Sequence, residues 1–218
     1  MKKGANMQTY HKIDTVFRRD ANGTKKLIDG AYRDETVKFL ADSVEWQFTE
    51  KIDGTNIRVH WDGYSISFAG RTEKSSIPSH LAEKLNDIFI KPEIEELFEQ
   101  TFGEKEVILF GEGYGANIQG AGHKYRSDVG FILFDVMIND NYQSRQNVEK
   151  IAQCFNLEIV PIVLTGTINQ AIDFVKRNPK STIGTAYMEG VVGRPKIELQ
   201  DRTGKRIIVK IKVNDFRK

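Results

Sequence analysis

The chain has 218 residues, 39% of them hydrophobic, which is enough to build the core of one domain. Its 32 lysine and arginine residues and 30 aspartate and glutamate residues give a formal charge of +2, so the overall charge neither indicates nor excludes a nucleic-acid partner. No apolar run approaches the roughly 18 residues of a membrane-spanning helix, and a single cysteine, Cys154, excludes an internal disulfide. We therefore expect a cytoplasmic protein without membrane contact.

A strand-rich stretch surrounds one lysine in the first third of the chain. Apolar and polar residues alternate over 46–48 and again over 57–61, and Asp53-Gly54, a pair typical of tight hairpin turns, lies between the two runs. This pattern predicts a hairpin that places Lys51 at the rim of a sheet. Asp62-Gly63 predicts the next turn, so the whole stretch is predicted to be a meander of three strands.

The remaining elements follow from apolar runs and from the helical spacing of apolar residues. Strands are predicted over 15–20, 107–113, 131–136, 159–163, 189–194 and 206–212. Helices are predicted over 36–40, 78–102 with a break before Pro92, 144–154 and 169–177. The third of these helices ends in Cys154, which we expect to be a core thiol. The chain is therefore predicted to be α+β with a mostly antiparallel core, in one domain over residues 1–218.

Polar residues suited to phosphate chemistry lie at the ends of these strands. In chain order they are Lys51 with Asp53 and Asn56, then Arg71, Glu112, Glu189, and Lys210 with Lys212. Each has an ordinary structural explanation as well. Glu112 could cap a turn, Glu189 could form a surface ion pair, and two lysines on one face of a strand could simply be solvated. Their order along the chain is more informative than any one of them.

In this order the residues resemble the covalent nucleotidyltransferase superfamily of ATP-dependent ligases and capping enzymes. The resemblance is strongest to its RNA ligase branch, typified by phage RNA-repair and trypanosomal RNA-editing ligases, and it spans about residues 46–213. The nucleophile motif Lys-x-(Asp/His)-Gly-x-Asn matches Lys51 to Asn56 in full. The further motifs Gly-Arg, Gly-Glu, aromatic-Asp, Glu-Gly-Val-Val and Lys-x-Lys match Gly70-Arg71, Gly111-Glu112, Phe134-Asp135, Glu189 to Val192 and Lys210 to Lys212.

The resemblance implies a nucleotidyltransferase (adenylation-domain) fold and a ligase that works in three steps. Lys51 takes AMP from ATP as a phosphoamide, passes it to a 5′-phosphate, and that end is joined to a 3′-hydroxyl of RNA or of a nicked duplex. Lys210, Lys212 and Arg71 supply positive charge around the α-phosphate. Glu189 offers a carboxylate to Mg²⁺ or Mn²⁺, ions that prefer oxygen ligands. A phage origin would place this activity in the cytoplasm of an infected host.

Four further residues are assigned to the nucleotide on the same grounds. Glu50 is expected beside the adenine, Asn56 completes the nucleophile motif, Glu112 accepts from the ribose hydroxyls, and Phe134 stacks on the base. Strand alternation leaves one alternative for the stacking residue, because Phe131 lies on the opposite face from Phe134. In that alternative Phe131 faces the base and Phe134 belongs to the core.

The end of the chain differs from the larger members of the superfamily. DNA ligases and capping enzymes carry an oligonucleotide-fold domain after the Lys-x-Lys strand, whereas only residues 213–218 follow here. We therefore expect a minimal catalytic core without an appended C-terminal domain. The glycine-rich stretch 116–127 is predicted to be a mobile loop, whose basic residues either contact phosphates or are solvated.

Two alternative functions remain open from the sequence. One is a DNA-nick ligase or a guanylyltransferase of the same superfamily, and the other is a nucleic-acid-binding module that has lost catalysis. Asn56 favours the RNA ligase branch, because DNA ligases typically have arginine at that position. The presence of Lys51, Glu189 and the Lys210/Lys212 pair argues against a module without catalysis.

Overall fold

A computed structural model describes residues 7–21, 26–72 and 75–217. Its contacts divide the chain into two compact units. Unit 1 comprises Asp53–Ile159 and the described residues of Met1–His11, and unit 2 comprises Lys12–Ile52 and Val160–Lys218. Both units combine helices with mostly antiparallel sheets, so the α+β prediction is confirmed. That the whole chain forms one adenylation domain stays a prediction.

The described residues form thirteen strands and five α-helices. In chain order the strands are β1 (Asp14–Thr15), β2 (Phe17–Arg19), β3 (Leu27–Tyr32), β4 (Trp46–Lys51), β5 (Thr55–Trp61), β6 (Ile66–Gly70), β7 (Val107–Gly115), β8 (Val129–Ile138), β9 (Asn141–Tyr142), β10 (Glu158–Ile159), β11 (Ile162–Gly166), β12 (Gly190–Pro195) and β13 (Val209–Lys212). The helices are α1 (Glu35–Leu40), α2 (Ser79–Phe89), α3 (Pro92–Phe102), α4 (Arg145–Cys154) and α5 (Ile168–Lys176). None of the helices in the described residues is long and apolar enough to cross a membrane.

Unit 2 is built on a five-stranded sheet in the order β1-β13-β12-β4-β11. All neighbours in it are antiparallel except β1 and β13. Every second side chain along a strand points to the same face of the sheet, and on one face these side chains are apolar. Phe48, Val191 and Ile211 are examples. Helix α5 contributes its apolar residues, Ile168 and Ile172 among them, to the same core. The opposite face of β4, β12 and β13 carries polar side chains.

Unit 1 is built on a six-stranded sheet in the order β10-β8-β7-β5-β6, with β9 paired to β8. Helices α2, α3 and α4 supply the core on one face, where Leu85, Phe89 and Phe98 are fully buried. The other face carries a smaller apolar cluster against which Met7 and Tyr10 pack. Pro92 is the first residue of α3, as the sequence predicts, because its missing N–H has no partner to lose there.

The hairpin predicted at Asp53-Gly54 is wrong. Strand β4 pairs with β11 and β12, whereas β5 pairs with β6 and β7, so the two strands belong to different sheets. A glycine is needed at position 54 for another reason. A Cβ on Gly54 would lie 2.3 Å from the carbonyl oxygen of Gly113, so only a residue without a side chain permits this close backbone approach. The second turn, at Asp62-Gly63, does join an antiparallel pair.

Two smaller predictions are also corrected. The single strand predicted over 159–163 is two strands, β10 and β11, which lie in different sheets on either side of Val160-Pro161. Cys154 is exposed on α4 and is not a core thiol. The predicted strands over 107–113, 131–136 and 206–212 and all the predicted helices have counterparts in the structure.

Candidate active site

Strand pairing in unit 2 brings Lys51 and Lys212 to the two sides of one glycine. Gly190, the first residue of β12, is directly opposite Lys51 on β4 and directly opposite Lys212 on β13. Directly opposite residues of antiparallel strands point to the same face of a sheet, so the two lysines flank this position. Glu189 immediately precedes Gly190 and therefore lies at the end of the central strand, between them.

The carboxylate of Glu189 binds both lysines. One oxygen, Oε2, accepts a hydrogen bond from Nζ of Lys51, and the other, Oε1, lies 2.6 Å from Nζ of Lys212. The three side chains are only 14%, 26% and 31% exposed for Glu189, Lys51 and Lys212. Burial by itself raises the pKa of Glu189, but the charge of Lys51 and the hydrogen bonds from both lysines outweigh burial. The pKa of Glu189 therefore lies below its usual range.

Gly190 is required by this arrangement. Its φ of +157° is rarely adopted by residues with a side chain, and a Cβ there would lie 2.1 Å from the carbonyl oxygen of Ile211. The backbone next to it is fixed by a hydrogen bond of 2.9 Å from the Val213 N–H to the Glu189 carbonyl. The Glu-Gly pair is thus a structural unit, in which the glycine allows β12 and β13 to approach and the glutamate receives the lysines.

Lys210 lies on the same face of the sheet as Lys212. It is directly opposite Val192, which is two residues along β12 from Gly190. Its side chain therefore points to the same face of the sheet as those of Lys51 and Lys212. The prediction that Lys210 and Lys212 share a face is confirmed, and the structure adds Lys51 to it. Unit 2 therefore holds three lysines and one glutamate around the end of β12.

Glu50 points the other way. It is directly opposite Val191, on the apolar face of the sheet, and is 1% exposed. Its Oε2 accepts from the Thr182 N–H at 2.9 Å and from the Thr182 hydroxyl at 2.6 Å, and its Oε1 accepts from the Ser181 hydroxyl at 2.5 Å. In the structure this carboxylate is therefore engaged by the protein itself. Its expected place beside adenine stays a prediction.

In unit 1 the sheet brings Asn56 and Glu112 together. They are directly opposite each other on β5 and β7, so their side chains share a face. Within the described part of the chain, no hydrogen-bond donor contacts the buried Oδ1 of Asn56. A buried acceptor without a donor is costly, and a ligand hydroxyl or amine would satisfy it. Their roles toward a nucleotide stay predictions.

Phe134 lies at an irregularity of β8. Asp135 is opposite Phe110 while Leu133 is opposite Gly111, so Phe134 is an extra residue without a partner on β7. Tyr10 contacts its ring edge-on, with centroids 5.1 Å apart, and the Tyr10 hydroxyl donates to Asp135 at 2.9 Å. Phe134 is therefore half-buried in the smaller apolar cluster, on the face opposite the main core.

Phe131, the alternative stacking residue, lies in the main core. It is 3% exposed and packs edge-on against Phe89 with centroids 5.4 Å apart. A Cβ on Gly111 would lie 2.2 Å from its ring, which explains the glycine that precedes Glu112. The alternative that Phe131 faces the base therefore does not fit the structure.

Arg71 is exposed directly after the end of β6. The residue before it, Gly70, is fixed by the buried guanidinium of Arg58, whose Nε donates to the Gly70 carbonyl at 2.8 Å. Arg58 also donates to the carbonyls of Met7 at 2.5 Å and Gln8 at 3.2 Å. One buried arginine thus connects the start of the described chain to the Gly-Arg motif.

The basic residues of the 116–127 stretch are not all available for phosphates. Arg126 donates from Nε to Asp128 at 2.6 Å and from Nη1 to Glu158 at 3.3 Å. Tyr114 donates to Glu158 as well, and burial, followed by this hydrogen bond, raises the pKa of Tyr114 to about 12. Arg126 is therefore engaged by carboxylates, whereas His123 and Lys124 are exposed, and phosphate contacts by this stretch stay a prediction.

Sequence reasoning missed the residues that support the site from a distance. Ser181 and Thr182 bind Glu50 although they lie more than a hundred residues later in the chain. Tyr10 binds Asp135 across a similar separation. No local pattern links such positions, because the contacts follow from strand order and not from spacing.

Comparison with known proteins identifies the family. The model of the family described as RNA ligase matches residues 44–212, most of the chain. The chain belongs to the RNA ligase family. A comparison with curated proteins finds no match.

Solved RNA ligases from Naegleria gruberi share the fold of this RNA ligase chain. An apo variant superposes with a TM-score of 0.65 at 17% identity, over 98% of this chain and 60% of that one. A variant with ATP and Mn gives 0.67 at 18% identity, over 96% and 57%. A variant with AMP and Mn gives 0.63 at 18% identity, over 84% and 53%. The chain thus spans little more than half the length of the enzymes it matches.

The RNA ligase chain offers one carboxylate for a divalent ion at the lysine cluster. No group of three or more histidine, cysteine, aspartate or glutamate side chains among the described residues could hold a metal ion by itself. Magnesium is commonly held by one or two carboxylates with water and substrate phosphates. Glu189 fits that mode, although its oxygens also bind two lysines. Its metal role stays a prediction.

Proposed function

We propose that this chain is an ATP-dependent RNA ligase that acts through a covalent lysyl-AMP intermediate. Nζ of Lys51 attacks the α-phosphorus of ATP, an N–P bond forms as the bond to pyrophosphate breaks, and the lysine gives up a proton. AMP then passes to the 5′-phosphate of an RNA end. Attack by a 3′-hydroxyl joins the two ends and releases AMP. The substrate is RNA, or a nicked duplex, with these two kinds of end.

The observation that carries the proposal is the carboxylate shared by Lys51 and Lys212. In the ion pair with Glu189, Lys51 is an ammonium group and cannot attack. It must leave the carboxylate and lose its proton before the reaction. Glu189 retains Lys212 at 2.6 Å when Lys51 leaves, so the half-buried carboxylate is not left without a partner. The second lysine therefore reduces the cost of releasing the nucleophile.

The other cations of the cluster suit a triphosphate. Lys210 and Lys212 lie on the same face of the sheet as Lys51, and ATP brings several negative charges to the amine that attacks it. Fixed cations at the α-phosphate stabilise the charge that develops during transfer. Arg71 is proposed to serve the α-phosphate too, as the resemblance to the family implies.

The comparisons support the choice of nucleotide and ion. Structures of the Naegleria enzyme are described with ATP and Mn and with AMP and Mn. We therefore propose ATP with Mg²⁺ or Mn²⁺, and we propose that Glu189 supplies the carboxylate for the ion. A bound divalent cation offsets phosphate charge and orients the leaving pyrophosphate. Phe134, Glu112, Asn56 and Glu50 are proposed to serve the nucleoside.

The rival functions are less well supported. The family match favours an RNA ligase over a DNA-nick ligase or a guanylyltransferase. A nucleic-acid-binding module without catalysis would have no need for a glutamate that binds two lysines at the end of one strand. The cytoplasmic location stays a prediction.

Intact-mass spectrometry after incubation with ATP and magnesium tests the proposal. The wild-type chain should gain the mass of one AMP, and Lys51→Ala should gain none. Lys196→Ala is the matched control, because Lys196 also pairs with a glutamate beside β12 but is 57% exposed. It should gain AMP as the wild type does. If the wild type gains no AMP, or if Lys51→Ala does, the proposal is wrong.

A sealing panel separates the RNA ligase from its relatives. Nicked duplexes with RNA or DNA on each side of the nick, together with single-stranded RNA ends, are incubated with the charged enzyme. We expect sealing only where the 3′-hydroxyl strand is RNA. Efficient sealing of all-DNA nicks would favour the DNA ligase alternative, and transfer of GMP to a 5′-end would favour the guanylyltransferase.

A further inference from the structure

A small hairpin leads into Glu189, and we name it the 179–188 hairpin after its residues. Lys180 and Tyr187 form an antiparallel bridge between its two arms. Backbone hydrogen bonds of 2.9 Å and 3.0 Å join the arms on either side of this bridge. Lys180 and Tyr187 are therefore a non-hydrogen-bonded pair, the kind in which facing side chains lie closest together.

Burial shows which face of the sheet each residue of the second arm points to. Ala186 and Met188 are 2% and 3% exposed, whereas Tyr187 between them is 55% exposed. Glu189 continues this alternation, and its carboxylate binds the two lysines on the polar face. Because every second side chain of an extended chain points the same way, Tyr187 and Glu189 share that face.

The first arm of the hairpin gives the same result. The Ser181 hydroxyl donates to Glu50, whose side chain lies on the apolar face of the sheet. Lys180 is the neighbour of Ser181 and therefore points to the opposite face, which is that of Lys51. Lys180 is exposed, and no carboxylate of the described residues pairs with it.

The face that carries the lysine cluster thus continues over the hairpin with an aromatic ring and a further cation. Two residues of strand span roughly 7 Å, so Tyr187 lies about that far along the chain from Glu189. Among the described residues, none stacks on the Tyr187 ring or bonds its hydroxyl. Aromatic rings beside basic residues are how proteins hold single-stranded nucleic acids, because bases stack on the rings and phosphates contact the cations.

We propose that Tyr187 stacks on a base of the RNA strand that carries the 5′-phosphate, and that Lys180 contacts a phosphate of the same strand. This inference rests on the proposed function, because the 5′-phosphate must reach the AMP on Lys51 and so brings its strand to this face. Stacking accepts every base, since every base has a flat face. The contact therefore holds RNA ends without selecting their sequence.

Two substitutions at Tyr187 and one at Lys180 test the proposal. Tyr187→Ala removes the ring, whereas Tyr187→Phe removes only the hydroxyl. Phe39→Ala is the matched control for the ring, because Phe39 is 75% exposed on α1, a helix whose Val37 belongs to the core of unit 2. Lys38→Ala is the control for Lys180→Ala, because Lys38 is 58% exposed on the same helix.

The main measurement is the affinity for a single-stranded RNA with a 5′-phosphate, followed by fluorescence anisotropy without ATP. We expect Tyr187→Ala to weaken binding by about fivefold to a hundredfold, the range that the loss of one base stack gives. Tyr187→Phe and Phe39→Ala should bind as the wild type does. Lys180→Ala should reduce the slope of log affinity against log salt by about 0.7, as expected for one phosphate contact on a single strand, and Lys38→Ala should not change it.

Abasic RNAs test whether the ring meets a base. Each of three RNAs lacks one base, at the first, second or third nucleotide from the 5′-phosphate. The wild type should bind one of them as weakly as Tyr187→Ala binds the complete RNA. That abasic position should cost Tyr187→Ala no further affinity, because both changes remove the same contact. With ATP present, Tyr187→Ala should lower sealing at limiting RNA far more than AMP transfer to Lys51.

Four results would overturn the inference. Wild-type RNA affinity in Tyr187→Ala, or an equal loss in Tyr187→Phe, would show that the ring does not stack on this strand. Additive losses at all three abasic positions would show the same. Equal losses of AMP transfer and sealing would assign the ring to the site of ATP instead. A wild-type chain that takes no AMP contradicts the proposed function alone, because the binding measurements still test the stacking.

Discussion

Replacing Glu189 with glutamine tests how much the shared carboxylate stabilises unit 2. Glutamine keeps the shape of the side chain but loses the charge that meets Lys51 and Lys212. The two ammonium groups would then lie on either side of a neutral amide that can accept only through one oxygen. We expect Glu189→Gln to lower the free energy of unfolding at pH 7.

The size of this loss in unfolding free energy depends on how exposed the two lysines are. Hydrogen bonds to charged groups contribute about 1.5–3 kcal/mol each when buried. Lys51 and Lys212 are 26% and 31% exposed, so both can turn partly into water when the carboxylate is lost. The amide also keeps one contact. We therefore expect a total loss of about 1–3 kcal/mol, below the roughly 3–6 kcal/mol that two fully buried contacts would give.

The loss should depend on pH in one direction. The pKa of Glu189 in the folded protein lies below the ordinary value of 4.5. A carboxyl group with a lowered pKa contributes stability that is present above its unfolded pKa and disappears as the pH falls through its folded pKa. The difference between the wild type and Glu189→Gln should be full at pH 7, begin to shrink near pH 4.5, and vanish in stronger acid.

Urea unfolding of both proteins between pH 3 and pH 7 measures this difference. Glu45→Gln is the control, because Glu45 pairs with Lys196 at 2.6 Å beside the other end of the same two strands, but both side chains are more than half exposed. Such a pair contributes up to about 1 kcal/mol. The reasoning is refuted if Glu189→Gln is no less stable than Glu45→Gln at pH 7, or if its deficit persists unchanged in acid.

Three further predictions follow from the structure. Phe134→Ala should weaken ATP binding in a titration, while Phe134→Tyr, which keeps the aromatic ring, should bind ATP as the wild type does. Phe131→Ala should mainly lower the free energy of unfolding, by about 3–5 kcal/mol, because the ring of Phe131 is in the core. Arg58→Met should cost about 2–5 kcal/mol in urea unfolding and raise hydrogen exchange at residues 7–10, since buried carbonyls lose their donor. Sealing should fall steeply between about 50 and 200 mM salt while AMP transfer to Lys51 persists, because phosphate contacts to RNA are screened; parallel decline of both would contradict this.

The grouping of four site residues could be predicted from the sequence better than the strand pairing around them. The order of Lys51, Glu189, Lys210 and Lys212 along the chain singles them out, and the structure places them together; their roles in AMP transfer stay predictions. The local rule for Asp53-Gly54 failed because a two-residue turn is one of several reasons for a glycine. Here the glycine makes room for the carbonyl of Gly113, which depends on pairing that no local pattern reveals.

Contacts across long stretches of chain could not be predicted from local patterns. Period-2 alternation placed Phe134 and Leu133 on opposite faces correctly, since the rule acts between neighbours. The same rule would place Asp135 with Leu133, but the irregularity at Phe134 shifts the register and turns Asp135 toward Tyr10. Likewise, nothing near Glu50 in the sequence indicates that Ser181 and Thr182 bind it. Such partners follow from sheet order, which depends on the whole fold.

The formal charge of the whole chain does not show where its charged residues cluster. The formal charge of +2 is spread over 218 residues and indicates no partner. Yet Lys51, Lys210, Lys212 and Glu189 carry a net +2 by themselves, and strand register places all four around the end of β12. An anion that approaches this point meets the local field, because charges more than about 10 Å apart are largely screened in salt. Strand register therefore gathers positive charge at one point of a nearly neutral chain, where Lys51, the proposed nucleophile, shares the carboxylate of Glu189 with Lys212.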